Sequence, residues 1–242
     1  MIGGWQLLLA TYKPEKRRWD RIYPWIGYVL RPASFLITAP LGALGVTANQ
    51  VTAFTGLLAV AACGLLAWGT FQGFFWGGIC VTLLNLFDCV DGNLARLRPS
   101  EGPPVGKFYD QLVGHAFPLV YFCLGVGLAR AHPDWALSLG TAGAATTVLR
   151  FLVVQVRREF RDVLEPAWQE ARAAGQIGGP GHAYRWYTRC YYNATEITGH
   201  DFLLWAGALG GWLPYFLAAS VLVAMLDLFF TLIFHLSLAA RL

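Results

Sequence analysis

Charge is what this sequence has least of. Only 13% of its 242 residues are Asp, Glu, Lys or Arg, against about 25% in an ordinary soluble domain. With 56% hydrophobic residues beside that shortage, a soluble globular chain and a solvated disordered one are both excluded. Cysteine is also sparse in pattern. Cys63, Cys80, Cys89, Cys123 and Cys190 show no paired spacing, which argues against a disulfide framework or a zinc site and for small apolar residues. No period of roughly 20–50 residues recurs, so a solenoid is excluded. No inverted repeat or pair of broken helices is visible, which counts against a transporter. Met1–Ala10 begins without charge and runs into a basic segment, not a cleavage site, so a signal peptide is not expected. Nucleic acid is not an expected partner.

What is present is long apolar runs. A spanning helix needs about 20 such residues, and six stretches qualify: 50–70, 73–95, 107–130, 135–156, 199–217 and 219–240. The expectation is an all-α polytopic membrane protein with six transmembrane helices. Before them, Arg31–Val46 is apolar but interrupted by Pro32 and Pro40, and is expected to lie along the interface as an amphipathic segment. Thr11–Tyr28 is basic and rich in tryptophan and tyrosine. Two regions follow: an N-terminal interfacial segment, 1–48, and a six-helix domain, 49–242.

The basic residues are unevenly placed. Lys13, Lys16, Arg17, Arg18, Arg21, Arg31, Arg96, Arg98, Lys107, Arg157, Arg158, Arg161, Arg172, Arg185, Arg189 and Arg241 fall on one side of this map, and only Arg130 touches the other. The positive-inside bias puts both termini, 96–106 and the loop 157–198 in the cytoplasm. Within that loop Arg161–Ala174 reads as a polar helix, Gly175–Gly181 as a flexible break and Tyr184–Tyr192 as an interfacial helix. Asn193–Thr195 matches a glycosylation sequon, meaningless on that side.

Against this background Phe87–Leu97, FDCVDGNLARL, is anomalous. It follows ten uncharged residues, Gly78–Phe87, with two carboxylates and an arginine. Helical spacing puts Asp88, Asp91 and Ala95 on one face, with Gly92 and Arg96 beside it. Asp110 opens the next helix and can return to the same depth. Three carboxylates converging near lipid are costly unless neutralised, and a divalent cation would neutralise them. Hard oxygen ligands favour Mg²⁺, Mn²⁺ or Ca²⁺, and Mg²⁺ commonly bridges carboxylates to substrate phosphates. Gly92 would admit a phosphate close to the backbone, and Arg96 could pair with its oxygens. The plain alternative is a set of solvated charges at a helix end.

Taken together, Asp88-x-x-Asp91-Gly92-x-x-Ala95-Arg96, nine residues, then Gly106-x-x-x-Asp110 resembles the signature of the CDP-alcohol phosphotransferases. Seven of its eight fixed positions are present in order. The segment GVTANQVT, Gly45–Thr52, is similar to the family's opening of its first span. The resemblance implies an enzyme that moves a substituted phosphate from a CDP-linked donor to an alcohol acceptor and releases CMP. At least one substrate would be a lipid, as in phospholipid synthesis. It implies two ions, Mg²⁺ or Mn²⁺, on Asp88, Asp91 and Asp110, and a cytidine-diphosphate pocket at Gly92, Ala95, Arg96 and Gly106. A bacterial inner membrane, with the site facing the cytoplasm, is the expected location. The resemblance also allows a catalytically silent relative that binds a CDP-linked lipid or head group.

One position departs from the pattern. The fourth aspartate, usually assigned as general base, is Gly114, and the next residue is His115. His115 has a suitable pKa for base work, but its offset from Asp110 turns it about 100° from the missing position. It could equally be a helix histidine bonded to a neighbour. Arg150 lies in an apolar run, where it could bind an anionic acceptor or phosphate or pair with a carboxylate. Asp227 and His235 sit in the last span. Asp227 suits helix packing or a subunit contact, which allows a homodimer. Asn49 and Thr52 could cap the first span or reach the nucleotide.

Overall fold

The computed structural model describes residues 12–98, 113, 116–159, scattered positions from 165 to 174, and 201–239. Among these residues every regular element is helical. Helix α1, Pro14–Asp20, is followed by a π-helical segment, Ile26–Leu30, that runs directly into α2, Arg31–Ala43. Then come α3, Ala48–Trp68, and α4, Phe71–Leu97. They are followed by α5, Phe117–Leu128, and α6, Ala136–Glu159. Last are α7, Phe202–Gly210, and α8, Leu213–Ala239. The six apolar stretches overlap α3 to α8 in order, with 199–217 running past the end of α7 into α8. Four of these, α3, α4, α6 and α8, are long and apolar enough to cross a membrane. As described, α5 has 12 residues and α7 has 9.

Local chemistry sets the helix ends. Thr47 caps α3 reciprocally with Gln50: the Gln50 N–H donates to Thr47 Oγ1 and the Thr47 N–H to Gln50 Oε1. The expected caps, Asn49 and Thr52, lie inside the helix, because the capping side chain must stand before the first helical residue. Gly69 ends α3 in the left-handed region at φ +71, and the Thr70 hydroxyl accepts from Gly73 to start α4.

Two expectations are corrected. The turn anticipated near residue 218 lies at Gly211–Trp212, where Gly211 takes φ +72 as the cap of α7. Both sides of this turn are apolar, so hydropathy could not locate it, whereas Gly211 adopts a left-handed φ without steric cost. Arg31–Val46 is not interrupted at its prolines. Its residues Arg31–Ala43 form one helix, α2, that packs on α4. Pro32 sits in its first turn, where a missing N–H costs nothing, and Pro40 stands in its last turn.

The helices approach closely where side chains are absent. A Cβ on Gly125 of α5 would come within 2.7 Å of Gly140 Cα on α6, and one on Gly78 of α4 within 2.6 Å of the Trp205 backbone on α7. Without a hydrophobic drive between helices in lipid, such contacts let dispersion act over the whole crossing. The main apolar core is built by Leu66, Val81, Leu124, Leu204, Leu217 and Val221. A smaller one, Val51, Val90 and Leu94, joins α3 and α4, and Ile37 and Leu41 of α2 pack against it.

The N-terminal segment is also fastened by charge. Asp20 is buried, accepts from Arg31 Nε at 2.8 Å and from the Tyr12 hydroxyl at 2.7 Å, and pairs with Lys16 at 3.1 Å. Burial pushes the Asp20 carboxyl up, but Arg31, Lys16 and these hydrogen bonds outweigh it and hold the group below the usual carboxylate range. A carboxyl depressed on folding stabilises the docked segment above the ordinary carboxylate pKa of about 4, and that contribution is lost as pH falls through the folded value. Hydrogen exchange over residues 14–43 in detergent should therefore show protection at pH 7 that is lost on acidification while α3 and α4 stay protected. Arg31→Met, which takes from the buried Asp20 its buried cationic partner, should cost about 3–5 kcal/mol and remove that protection at pH 7.

Candidate active site

The signature residues lie on the last three turns of α4, and the helix presents them in different directions. Asp88 and Ala95 are exposed, Asp91 is buried, and Gly92 and Arg96 are half-buried. Asp91 turns toward α3, where the Thr52 hydroxyl donates to its Oδ2 at 2.8 Å and shares the contact with the Ala48 carbonyl. Thr52 is thus neither a cap nor a free polar group. It fixes one aspartate while Asp88, one turn earlier, faces outward. A Cβ on Gly92 would stand 3.6 Å from Nη1 and 3.7 Å from Nη2 of Arg96. The guanidinium therefore lies over the glycine.

The rest of the signature, Gly106 and Asp110, lies outside the described residues, as do Gly114 and His115. Val113 is described. Its Cγ2 would be 3.6 Å from a Cβ on Gly56 of α3, and Gly56 follows Thr52 by one turn. Among the described residues no three His, Cys, Asp or Glu side chains group together. Asp88 and Asp91 do offer hard oxygen donors a turn apart, one of them pre-oriented, and that donor set suits Mg²⁺ or Mn²⁺. The four described cysteines, Cys63, Cys80, Cys89 and Cys123, are free, and Cys190 lies outside the description.

Arg150 and Asp227 find each other. The Arg150 Nε is 2.5 Å from Asp227 Oδ2, joining α6 to α8. The two residues are equidistant from the starts of their helices, Ala136 and Leu213. Asp227 is 2% exposed. This is the carboxylate partner foreseen as one of two roles for Arg150, and it gives Asp227 its place in helix packing. His235 is in α8, and its side chain is outside the description.

Sequence reading missed three polar contacts around the signature. Asn93, inside the motif, is 1% exposed and bonded to α2. Arg31 reaches the same point from the N-terminal segment. Asn85, one turn before Asp88, donates to the fully buried Asp201 at 3.0 Å, at the start of α7. The available signal was a polar residue within an apolar helical run, as at Asn85 and Asn93. The partners come from 59 and 116 residues away, and no local pattern marks them.

The Arg150–Asp227 pair generates a test. Arg150→Met removes the cation from beside the buried Asp227 carboxylate and should destabilise the protein by about 3–5 kcal/mol, read as loss of melting temperature in detergent. Arg150→Met combined with Asp227→Leu should recover most of that loss, because neither charge is then stranded. A double variant as unstable as the single one would show that the pair is not the source of the effect.

No curated protein matches the chain. A family model does, over residues 45–178, which takes in α3, α4, α5, α6 and the whole signature from Asp88 to Asp110. With the motif laid out on α4, Thr52 fixing Asp91 and Arg96 over Gly92, the match agrees with the geometry: the chain belongs to the CDP-alcohol phosphatidyltransferase family.

Proposed function

We propose that this protein is an active transferase. It moves a substituted phosphate from a CDP-linked donor to an alcohol acceptor, with CMP as the leaving group. The acceptor oxygen bonds to the phosphorus that carries the donor's substituent, the bond from that phosphorus to the CMP oxygen breaks, and the acceptor loses its proton. The observation that carries this reading is the split placement of the two aspartates on α4: Asp91 buried and anchored by Thr52, and Asp88 one turn earlier exposed, with Arg96 lying over Gly92 on the same helix. A purely solvated helix end would not need a buried aspartate held by a neighbouring helix.

Asp88, Asp91 and Asp110 would hold one or two ions, Mg²⁺ or Mn²⁺. The contact of Val113 with Gly56, next to Thr52, supports bringing Asp110 to the other two. When bound, paired divalent ions neutralise a pyrophosphate and stabilise a leaving phosphate. Thr52 pre-orients Asp91, so less rotamer freedom is lost on binding. Gly92, Ala95, Arg96 and Gly106 form the donor pocket, with Arg96 on the phosphates. The concentration of Lys and Arg at the end of the bundle that carries the signature supports a cytoplasmic site, in a bacterial inner membrane. At least one substrate is a lipid, reached from the membrane.

The absence of an aspartate at Gly114 favours the second reading, a silent binder of the donor. A base contributes about 10²–10⁴-fold, and His115 is proposed to supply part of that. Release of CMP from a panel of CDP-donors with Mg²⁺ or Mn²⁺ should be readily measured. Asp88→Asn, Asp91→Asn and Asp110→Asn should each abolish it in folded protein. His115→Ala should lower turnover and shift its dependence on pH between 6 and 9. Donor binding without turnover, with activity appearing only in Gly114→Asp, would establish the silent reading instead.

Topology is tested separately. A Gln176→Cys variant should resist an impermeant thiol reagent in intact cells and react after the membrane is opened. Ready labelling in intact cells would invert the orientation.

A further inference from the structure

Asn93 stands at one of the two unspecified positions between Gly92 and Ala95, yet it has the most completely used side chain in the described site. It is 1% exposed and faces α2. Its Nδ2 donates to Ser34 Oγ at 3.0 Å and to Thr38 Oγ1 at 3.2 Å. Its Oδ1 accepts from Arg96 Nη2 at 2.7 Å and from Arg31 Nη1 at 3.4 Å. Two donors and two acceptor positions are the whole capacity of the group.

The orientation of this amide is determined by its neighbours. Ser34 and Thr38 each spend their one O–H on a backbone carbonyl, of Arg31 at 2.7 Å and of Ser34 at 2.6 Å. Toward Asn93 they can only accept. Arg31 and Arg96 can only donate. A reversed amide would face two acceptors with its oxygen and two guanidinium groups with its NH₂, losing every bond and adding repulsion. Arg31 is held in turn by Asp20, through Nε at 2.8 Å and Nη2 at 3.4 Å, and by the Cys89 carbonyl at 3.4 Å. The chain from Asp20 to Arg96 is therefore continuous, and it ends on the guanidinium that lies over Gly92.

We propose that Asn93 is a positioning residue. Its amide oxygen, oriented by Ser34, Thr38 and Arg31, aims the Arg96 guanidinium across Gly92 at the donor's pyrophosphate, so that docking of the N-terminal segment is part of donor binding. This rests on the reading of Arg96 as a donor-phosphate group. The bond to Asn93 uses one of five N–H donors on Arg96, which leaves the fork able to meet an anion. Free of that bond, Arg96 would have to be ordered at the moment of binding, at a cost in rotamer entropy.

The test is a double-mutant cycle on the full chain in detergent with Mg²⁺, reading CDP affinity by calorimetry. Asn93→Ala should weaken CDP binding about tenfold, as expected for one charge-assisted bond, and Arg96→Ala should weaken it more. In the Arg96→Ala background, Asn93→Ala should have no further effect, an outcome a merely structural role would not give. Ser34→Ala removes one acceptor with little change of shape. It should weaken CDP about threefold, again only while Arg96 is present, and it decides the matter if Asn93→Ala does not fold. Full additivity of either variant with Arg96→Ala overturns the proposal. So does unchanged CDP affinity in Asn93→Ala and Ser34→Ala while Arg96→Ala binds weakly, a result that spares Arg96 as a phosphate group. No loss in Arg96→Ala overturns both.

Discussion

A buried guanidinium, Arg31, sets the terms for the cation-rich end of this molecule. At 5% exposure it cannot be left without partners, since an uncompensated charge in the interior costs several kcal/mol. Its partners come from three places: Asp20 in the segment before it, and the Cys89 carbonyl and Asn93 side chain on α4. Meeting that requirement ties α1, the π-helical segment and α2 to one side of the signature helix. Tyr12 adds its hydroxyl to Asp20 and its ring face to Arg31, 5.7 Å from the centroid. The N-terminal segment is therefore part of the bundle.

Helix α4 is the shared element. Its rotation of about 100° per residue deals successive polar side chains to different neighbours. Asp91 goes to α3 through Thr52, Asn93 to α2 through Ser34 and Thr38, and Asn85 to Asp201 at the start of α7. Asp88 and Ala95 are left facing outward. Each bond satisfies a polar group buried inside the bundle and also sets the helix rotation. The apolar face of α4 then has one placement, with Val81 in the larger core and Val90 and Leu94 in the smaller. The direction in which Asp88 faces is thus a consequence of contacts on the other sides of the same helix. The Trp25 ring, 4.7 Å from Phe202, closes the N-terminal segment against α7.

Much of this was legible in the chain. Charge scarcity with long apolar runs determines a membrane-spanning, all-helical class, because unpaired backbone in lipid leaves few other solutions. The signature was readable because its residues are close in sequence and their spacing matches a helix. Asp88, Asp91, Gly92 and Arg96 do lie on one helix, with Gly92 and Arg96 adjacent. Where reading went astray, the deciding signal was stereochemical. Gly211 rather than a dip in hydropathy marks the turn before α8, and Thr47, not Asn49 or Thr52, caps α3. Prolines within Arg31–Ala43 looked like breaks but occupy the first and last turns, where a helix tolerates them.

By itself, then, the sequence determined the solvent in which this protein folds, the order of its helices and the local signature, since all three depend on composition and on spacings within a few turns. Tertiary structure alone decided which polar residues meet: Arg31 with Asn93, Thr52 with Asp91, Arg150 with Asp227, Asn85 with Asp201. The hydrogen-bonded pairs among these are separated by 39 residues at the shortest and 116 at the longest, and no local pattern names the partner of any of them. Their pairing follows from helix rotation, close approach at glycines and the cost of leaving a polar group unpaired in lipid. Those constraints act only once the helices are packed.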